Sequence, residues 1–526
     1  MTIILILILG FLLRLINLNQ SLWLDEAVQA ITSKGSFLGI FTELRGDFHP
    51  PLYHLLMWGW GHLFGYGEVV MRLPSVLFGA ATIWVVYKIV RSWESGVRSE
   101  ETGVRREEIG VKNQNSELQT QNSALRTLPL IAALFLAIAP FHIYYSQEAR
   151  TYAMTTFFAA LSMYYFMILV KKGESGVRSQ NSELRTQNLK YILFTTLMLY
   201  SDYYGLFVFL AQIIAGMIIL RKRITRLLLY YTSVFLLFLP CLPLLWIQLK
   251  TGSQATAFLP EWGRLVNLSF LRVLPLTFIK FSIGRITIFN KTLYAIVVGI
   301  LFVIYGGIIA RGFFKGKKLI INNYSLIILL WLFVPILLAW GISFFIPNYQ
   351  PFRLLLVLPA FYLLLVYGIS SIKNKILFIF FLTFIIIVSG LSLLTYYTNP
   401  YFHREDWRGA VKYIESQDGK SSLALIPSET SHWPYEYYSK GKVPLLGVAK
   451  GFNKVGSQEI EDRSQEIGDR SQNSVLRTQY SHIYYIYYLA DLFDPQGLIP
   501  KWLEDQKFIK TNETSFNQIM LQEWSR

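Results

Sequence analysis

The sequence predicts a polytopic α-helical membrane protein of about eleven transmembrane helices, with a cytoplasmic N-terminus and a small C-terminal α/β domain outside. Three observations predict it. The 526 residues are 53% hydrophobic and only 16% charged, too apolar for a soluble chain of this size. Apolar runs of about 20 residues, long enough to cross a bilayer, recur along the chain. Lys and Arg collect in short loops between alternate runs, as the positive-inside bias requires.

The runs lie near 2–18, 70–90, 128–145, 150–170, 190–201, 204–220, 227–247, 292–311, 319–345, 353–371 and 376–396. No basic region precedes the first run and no small-residue cleavage site follows it, so it reads as a retained helix and not a signal peptide. Alternate connections place Arg91 to Lys112, Lys171 to Lys190, Arg221 to Arg226, Lys315 to Lys318, and Lys373 with Lys375 on one side, the cytoplasmic one. Residues 19–69, 146–149, 248–291, 346–352 and the tail from about 397 then face outward from a cytoplasmic (inner) membrane. The net charge of +16 reports orientation, and nucleic acid is not an expected partner. The single cysteine, Cys241, excludes a disulfide framework or a Cys-based metal site within one chain.

Residues 1–396 form the expected membrane domain and 397–526 the outer domain. In the outer loop 19–69, the segment 36–66 is interrupted by Gly46, Asp47, Pro50 and Pro51 and carries Tyr53, Trp58 and Trp60. It suits helices lying in the interface and roofing a site. The run E-S-G-V-R-S occurs at 94–99 and 174–179; Q-N-S-E-L-R-T-Q-N at 180–188 has near copies at 114–122 and 472–479. These repeats carry almost no apolar face, so 94–127, 174–188 and 456–479 read as low-complexity insertions, the first two cytoplasmic. After the last run, helical spacing over 406–414 and strand patterns at 422–426 and 482–488 predict the α/β domain, which lacks a glycine-rich phosphate loop.

Asp25 and Glu26 stand just past the first run in L-W-L-D-E-A, and Glu148 stands between two runs in S-Q-E-A-R. Counting connections puts all three acids on the outer face. Carboxylates and a basic set facing one space suit group transfer from a phosphate-bearing donor: an acid takes the proton of an attacking hydroxyl, or holds a metal that polarises it. A divalent metal stays open as a cofactor, with Asp25 and Glu148 as its ligands if one is used. His49, in F-H-P-P-L-Y, can donate to a phosphate, and Arg353, in N-Y-Q-P-F-R, matches phosphate geometry with two donors. Each residue also has a plainer reading. Asp25 and Glu26 mark a helix start, Glu148 with Arg150 an interfacial ion pair, Pro50-Pro51 a rigid turn, and Arg72 and Arg353 snorkelling cations.

Taken in order, W-L-D-E-A, H-P-P-L-Y at 49–53, F-G-Y-G-E-V-V-M-R-L-P-S at 64–75, S-Q-E-A-R-T-Y-A at 146–153, P-F-R-L-L-L-V-L-P-A at 351–360 and D-W-R-G-A-V-K-Y-I at 406–414 form a set that spans most of the chain. This set resembles the C-type, membrane-embedded glycosyltransferases, in the protein-mannosyltransferase and aminoarabinose-transferase-like branch (RgtA/B/C/D-like). The resemblance implies a polyprenyl-phosphate-linked sugar donor, a lipid, glycan or protein acceptor, inverting transfer, and a site on the periplasmic or exterior side of the membrane. It implies that Asp25 is the catalytic base or the acid that orients the acceptor, with Glu26 its neighbour and Glu148 the second acid, and that His49, Arg150, Arg353, Tyr349 and Arg72 are candidates for the lipid phosphate. The chain has His49 where the aminoarabinose-transferase pattern tends to lysine, so the donor sugar is not named by the pattern.

Two rivals belong to other classes. A secondary transporter or flippase would want charged groups at the bilayer midplane and repeats of the helices themselves, and neither is evident. A scaffold that keeps the fold would bind a donor without turnover.

Overall fold

The computed structural model describes residues 1–108, 127–174, 182–258, 272–315, 318–319, 321–346, 349–417, 421–449 and 480–526. Helices form on the apolar runs. Among the described residues, seven are long and apolar enough to cross a membrane: Glu68–Trp93, Tyr152–Lys172, Arg221–Thr251, Lys291–Phe313, Asn323–Ile342, Pro351–Ser370 and Lys375–Thr398. A bent pair, Thr127–Ala137 with Pro140–Ser146, makes an eighth, broken by 58°. Three further apolar helices, Thr2–Leu15, Gly205–Ile219 and Val273–Ile283, are shorter, and Ser182–Ser201 is not among the seven. Many large side chains on these helices, Leu5, Ile8, Phe302, Val303, Ile379, Phe380 and Leu391 among them, are exposed, which suits lipid and not water. The chain is an integral membrane protein.

The first part of the chain carries the elements that matter for the site: α1 (Thr2–Leu15), α2 (Leu24–Lys34), α3 (Phe37–Glu43), α4 (Leu52–Phe64), α5 (Glu68–Glu108), α6 (Thr127–Ala137), α7 (Pro140–Ser146) and α8 (Tyr152–Glu174). α1 stops because Ile16 is extended and Asn17 adopts a left-handed φ of 58°, a conformation asparagine tolerates. The segment 36–66 forms two short helices with Phe37, Leu38, Phe41, Leu63 and Phe64 exposed. Residues 94–108, expected as the start of an insertion, continue α5 to Glu108, whereas 456–479 lie outside the described residues.

The break between α6 and α7 turns the chain toward the site. Pro140 has no N–H to offer the Leu136 carbonyl, so the ladder fails there. Arg14 of α1, fully buried, reaches across: one guanidinium nitrogen donates to the carbonyls of Gly10 (2.6 Å) and Ala137 (3.2 Å), the other to Leu136 (3.4 Å) and to Nδ1 of His142 (2.7 Å). Because arginine only donates, Nδ1 of His142 is the acceptor and its proton sits on Nε2. Gln147 then ties the end of α7 to α1, donating to the carbonyls of Arg14 and Ile16 while accepting from the Tyr396 hydroxyl.

Beyond residue 400, five strands form one sheet in the order Leu445–Ala449, Ser422–Ser428, His482–Tyr487, Ile519–Ser525, Ile509–Phe516; the first two pairings are parallel and the last two antiparallel. Both faces of Ser422–Ser428 are covered, which explains its unbroken apolar run. Ala424 and Ile426 pack on Trp407, Val411 and Ile414 of the helix Trp407–Ser416, and Leu423 and Leu425 pack on Ile499 and Leu503 of Leu498–Asp505.

The approach of α5 to α7 depends on Gly79, where an added Cβ would lie 2.7 Å from Cβ of Ser146 and 3.0 Å from Nε of Arg14. Gly79→Val is expected to cost about 1–3 kcal/mol by overpacking. Gly59→Ala, a site with nothing within 4 Å of the new Cβ, is the control. Thermal unfolding in detergent checks both, and equal melting temperatures would contradict the packing described.

Candidate active site

The connection between α1 and α2 and the connection between α7 and α8 meet at a buried carboxylate. Asp25 and Glu26 enter the first turn of α2, where the free amide groups and the helix dipole favour acids. Glu26 points inward and is fully buried. Its Oε1 accepts from Nε of Arg72 and from the backbone N–H of Ala149, both at 2.8 Å, and its Oε2 pairs with Nη2 of Arg72. Burial alone would raise the Glu26 carboxyl; Arg72, Arg404 and the Ala149 amide outweigh it and hold it below its usual value. Arg72 spends its remaining donors on the carbonyls of Leu18, Gln20 and Ser21. Both residues, expected from the sequence in catalysis and phosphate binding, are consumed by each other and by backbone. They build the site without facing it.

Asp25 turns the other way. Its side chain is 35% exposed, and Oδ2 lies 3.4 Å from Nη2 of Arg150. The buried Arg150 keeps its charge, since the pull of Asp25, Tyr152 and Asp47 exceeds the opposing effect of burial. Glu148 is buried, with Oε1 3.4 Å from Nη1 of Arg404 and Oε2 without a partner. Burial pushes its carboxyl above the usual range against the attraction of Arg404, and the neighbouring Glu26 charge adds to the rise. Arg404 also donates to the Tyr144 carbonyl (3.3 Å), and its guanidinium lies 3.9 Å from the Tyr144 ring centre. Arg285 meets the same ring at 4.8 Å and donates to its hydroxyl at 2.6 Å.

His49 is buried; its Nδ1 lies 2.9 Å from Oδ1 of Asp47, whose Oδ2 is 2.9 Å from Nε2 of His54. The Nε2 of His49 has no partner, nor have Nε of Arg150 and Nε of Arg353. Against the buried cost of Asp47, the two imidazoles hold its carboxyl well below the usual value. His49 packs edge-on to Tyr152, and Tyr152 in turn contacts Tyr145 and Phe352, the residue before Arg353. Tyr349 is not brought in with its hydroxyl free: it is buried and bonded to the Thr277 hydroxyl at 2.8 Å.

The structure thus gathers Asp25, Glu148, Arg150, His49 and Arg353, and turns Glu26, Arg72 and Tyr349 to structural contacts. Sequence reasoning missed Arg404, Glu405 and Asp47, and nothing in the pattern of the loop 248–291 singles out Arg285 from Lys250, Arg264, Arg272 and Lys280. The signal for the first two was the charged run Arg404-Glu405-Asp406 directly after the last apolar helix. For a metal, no three His, Cys, Asp or Glu side chains gather among the described residues, and Asp25 and Glu148 each face a guanidinium.

Residues 48–97 match the family model of dolichyl-phosphate-mannose-protein mannosyltransferases. The fold matches crystal structures of ArnT from Cupriavidus metallidurans in the apo state (TM-score 0.51) and bound to undecaprenyl phosphate (TM-score 0.50). In each case the match has 12% identity and covers 99% of this chain and 97% of that one. No curated protein matches the sequence. Both matches support the resemblance read from the sequence: the chain is similar to ArnT in fold, and its residues 48–97 are similar to the mannosyltransferase family model.

The different fates of the adjacent acids are testable. Glu26→Ala leaves the Arg72 cation buried and unpaired, and a loss of about 3–5 kcal/mol is expected. Asp25→Asn removes a partly exposed pair and should change stability by about 1 kcal/mol or less. Thermal unfolding of the two variants in detergent compares them; similar losses would place Asp25 in the structural core as well.

Proposed function

We propose that the protein is a glycosyltransferase that moves a sugar from a polyprenyl-phosphate donor to a hydroxyl acceptor at the outer face of the membrane. The observation that carries this reading is Asp25: it is the accessible carboxylate of a cluster otherwise dominated by buried guanidinium groups with unused donors. The donor class is supported by the fold relative solved with undecaprenyl phosphate. The outer face is supported by the basic loops at the opposite ends of the helices.

In this mechanism Arg150 and Arg353 hold the donor phosphate with charge-assisted hydrogen bonds, and His49, oriented by Asp47, offers Nε2 to the same group. The acceptor hydroxyl attacks the anomeric carbon as Asp25 takes its proton. The new C–O bond forms, the bond from the anomeric carbon to the phosphate oxygen breaks, and the electron pair leaves on polyprenyl phosphate with inversion. Cations preorganised at the departing phosphate stabilise charge where it develops. Arg150 serves twice, since it also orients Asp25. Glu148 acts behind this pair by fixing Arg404.

Purified protein given a labelled polyprenyl-phosphate sugar and membrane extract as acceptor is expected to release polyprenyl phosphate. Asp25→Asn should lower kcat by about 10²–10⁴-fold. Arg353→Gln should raise the donor KM by about tenfold or more, the loss of one charged hydrogen bond. Unchanged turnover in the Asp25 variant removes the assigned base, and liposome transport of the lipid without sugar transfer removes the enzyme reading.

A further inference from the structure

The C-terminal unit reaches into the site through the run Arg404-Glu405-Asp406. Arg404 meets Glu148, and its backbone N–H donates to Oε1 of Gln20 at 2.7 Å. Asp406 accepts from the Ser21 hydroxyl at 3.1 Å and caps Trp407–Ser416 by accepting from the Gly409 N–H at 3.0 Å. Leu24, the residue before Asp25, packs into the core around Trp407. Glu405, between these anchors, is half-buried and accepts from Nε1 of Trp407 at 2.8 Å and from the Tyr488 hydroxyl at 3.1 Å. Trp407 and Tyr488 pack edge-to-face at 4.9 Å, so both donors are held in place.

We propose that Glu405 is a second proton acceptor of the site, carried by the C-terminal unit, which receives from Asp25 the proton taken from the acceptor. The inference rests on the functional reading above. Leu24, next to Asp25, packs in the same core as Trp407 and Tyr488, the two residues that donate to Glu405, so the start of α2 and Glu405 share one neighbourhood. The groups facing Glu405 are the Trp407 and Tyr488 donors, the Asp25 carboxylate and the adjacent Arg404 guanidinium, which is occupied by Glu148. Two neutral donors and no committed cation leave a carboxylate that can take up and release a proton. Burial pushes Glu405 up to about 7, the donors pull against it and Asp25 adds to the rise, so the group changes charge in the range where such an enzyme works. The proton balance closes over a turnover: the acceptor O–H breaks, Asp25 binds the proton, Glu405 takes it from Asp25, and the half-buried Glu405 releases it to water, which leaves both carboxylates ionised for the next acceptor.

The sign of the pH dependence follows. Glu405 accepts a proton only when ionised, so kcat is expected to rise with pH through about 7 and to fall as acidity protonates it. E405Q should lose that inflection and about tenfold or more in kcat with the donor KM retained, and E405D should recover part of both. Infrared difference spectra of wild type against E405Q should show a protonated-carboxyl band that disappears as pH passes about 7. Wild-type turnover with an E405Q rate and pH profile equal to wild type overturns this step alone. A wild-type protein that shows the titrating band but transfers no sugar from any polyprenyl-phosphate donor overturns the functional reading and the step with it.

Discussion

One buried ion pair, Glu26 with Arg72, joins the two connections from which the candidate site is made. Neither residue could stand alone there: a lone charge in that interior would cost several kcal/mol, and each removes the problem of the other. The pair also does geometric work. Through Glu26 it holds the backbone of Ala149, and through Arg72 it holds three carbonyls of the segment leading into α2. Asp25 and Arg150, each one residue from these anchor points, are brought to 3.4 Å as a consequence.

Around that frame Arg150, Arg353, Arg404 and Arg285 stand with Asp25, Glu148, Asp47 and Glu405, and the buried atoms left without partners include two arginine Nε donors, an imidazole nitrogen and a carboxylate oxygen. Buried polar atoms are ordinarily paired, and an interior that leaves several unpaired in one neighbourhood is built for a polar guest. Two of those unpaired atoms are guanidinium donors, Nε of Arg150 and Nε of Arg353, which suit a guest that carries negative charge. The aromatic contacts among Tyr145, Tyr152 and Phe352 supply a rigid apolar floor beside the cations.

Much of this was legible before any coordinates. Apolar length located most of the helices, and the position of Asp25, Glu148, Arg150 and Arg353 at the ends of apolar runs away from the basic loops marked residues that come together. Periodicity also located Trp407–Ser416 and the strands at 422 and 482. What could not be read is which partner each charge chooses. Asp25 and Glu26 are adjacent and chemically alike, and only the rotation of α2 against α5 sends one to Arg72 and the other toward solvent. Arg404 stands more than 250 residues from Glu148, a pairing no local pattern encodes. Hydropathy also does not see a helix end such as that at Ile16-Asn17, where the left-handed Asn17 stops the first helix.

The segment from Leu18 to Ser21 shows why a unit so distant in sequence belongs to the site. It is irregular backbone at the edge of an apolar helix bundle, where bare carbonyls are costly. Arg72 satisfies those of Leu18, Gln20 and Ser21, and Arg408 of the C-terminal unit donates to the fourth, Asn19, at 2.9 Å. The Tyr438 hydroxyl takes the next amide, Leu22, at 2.7 Å, and Leu24 is packed beneath Trp407. Asp25 is therefore located from two directions, by the membrane helices through Arg72 and by the sheet unit through Arg408, Tyr438 and Trp407. A carboxylate held at both ends of its approach has little freedom to drift from its partner cation, which is the precision that the proposed proton transfer demands.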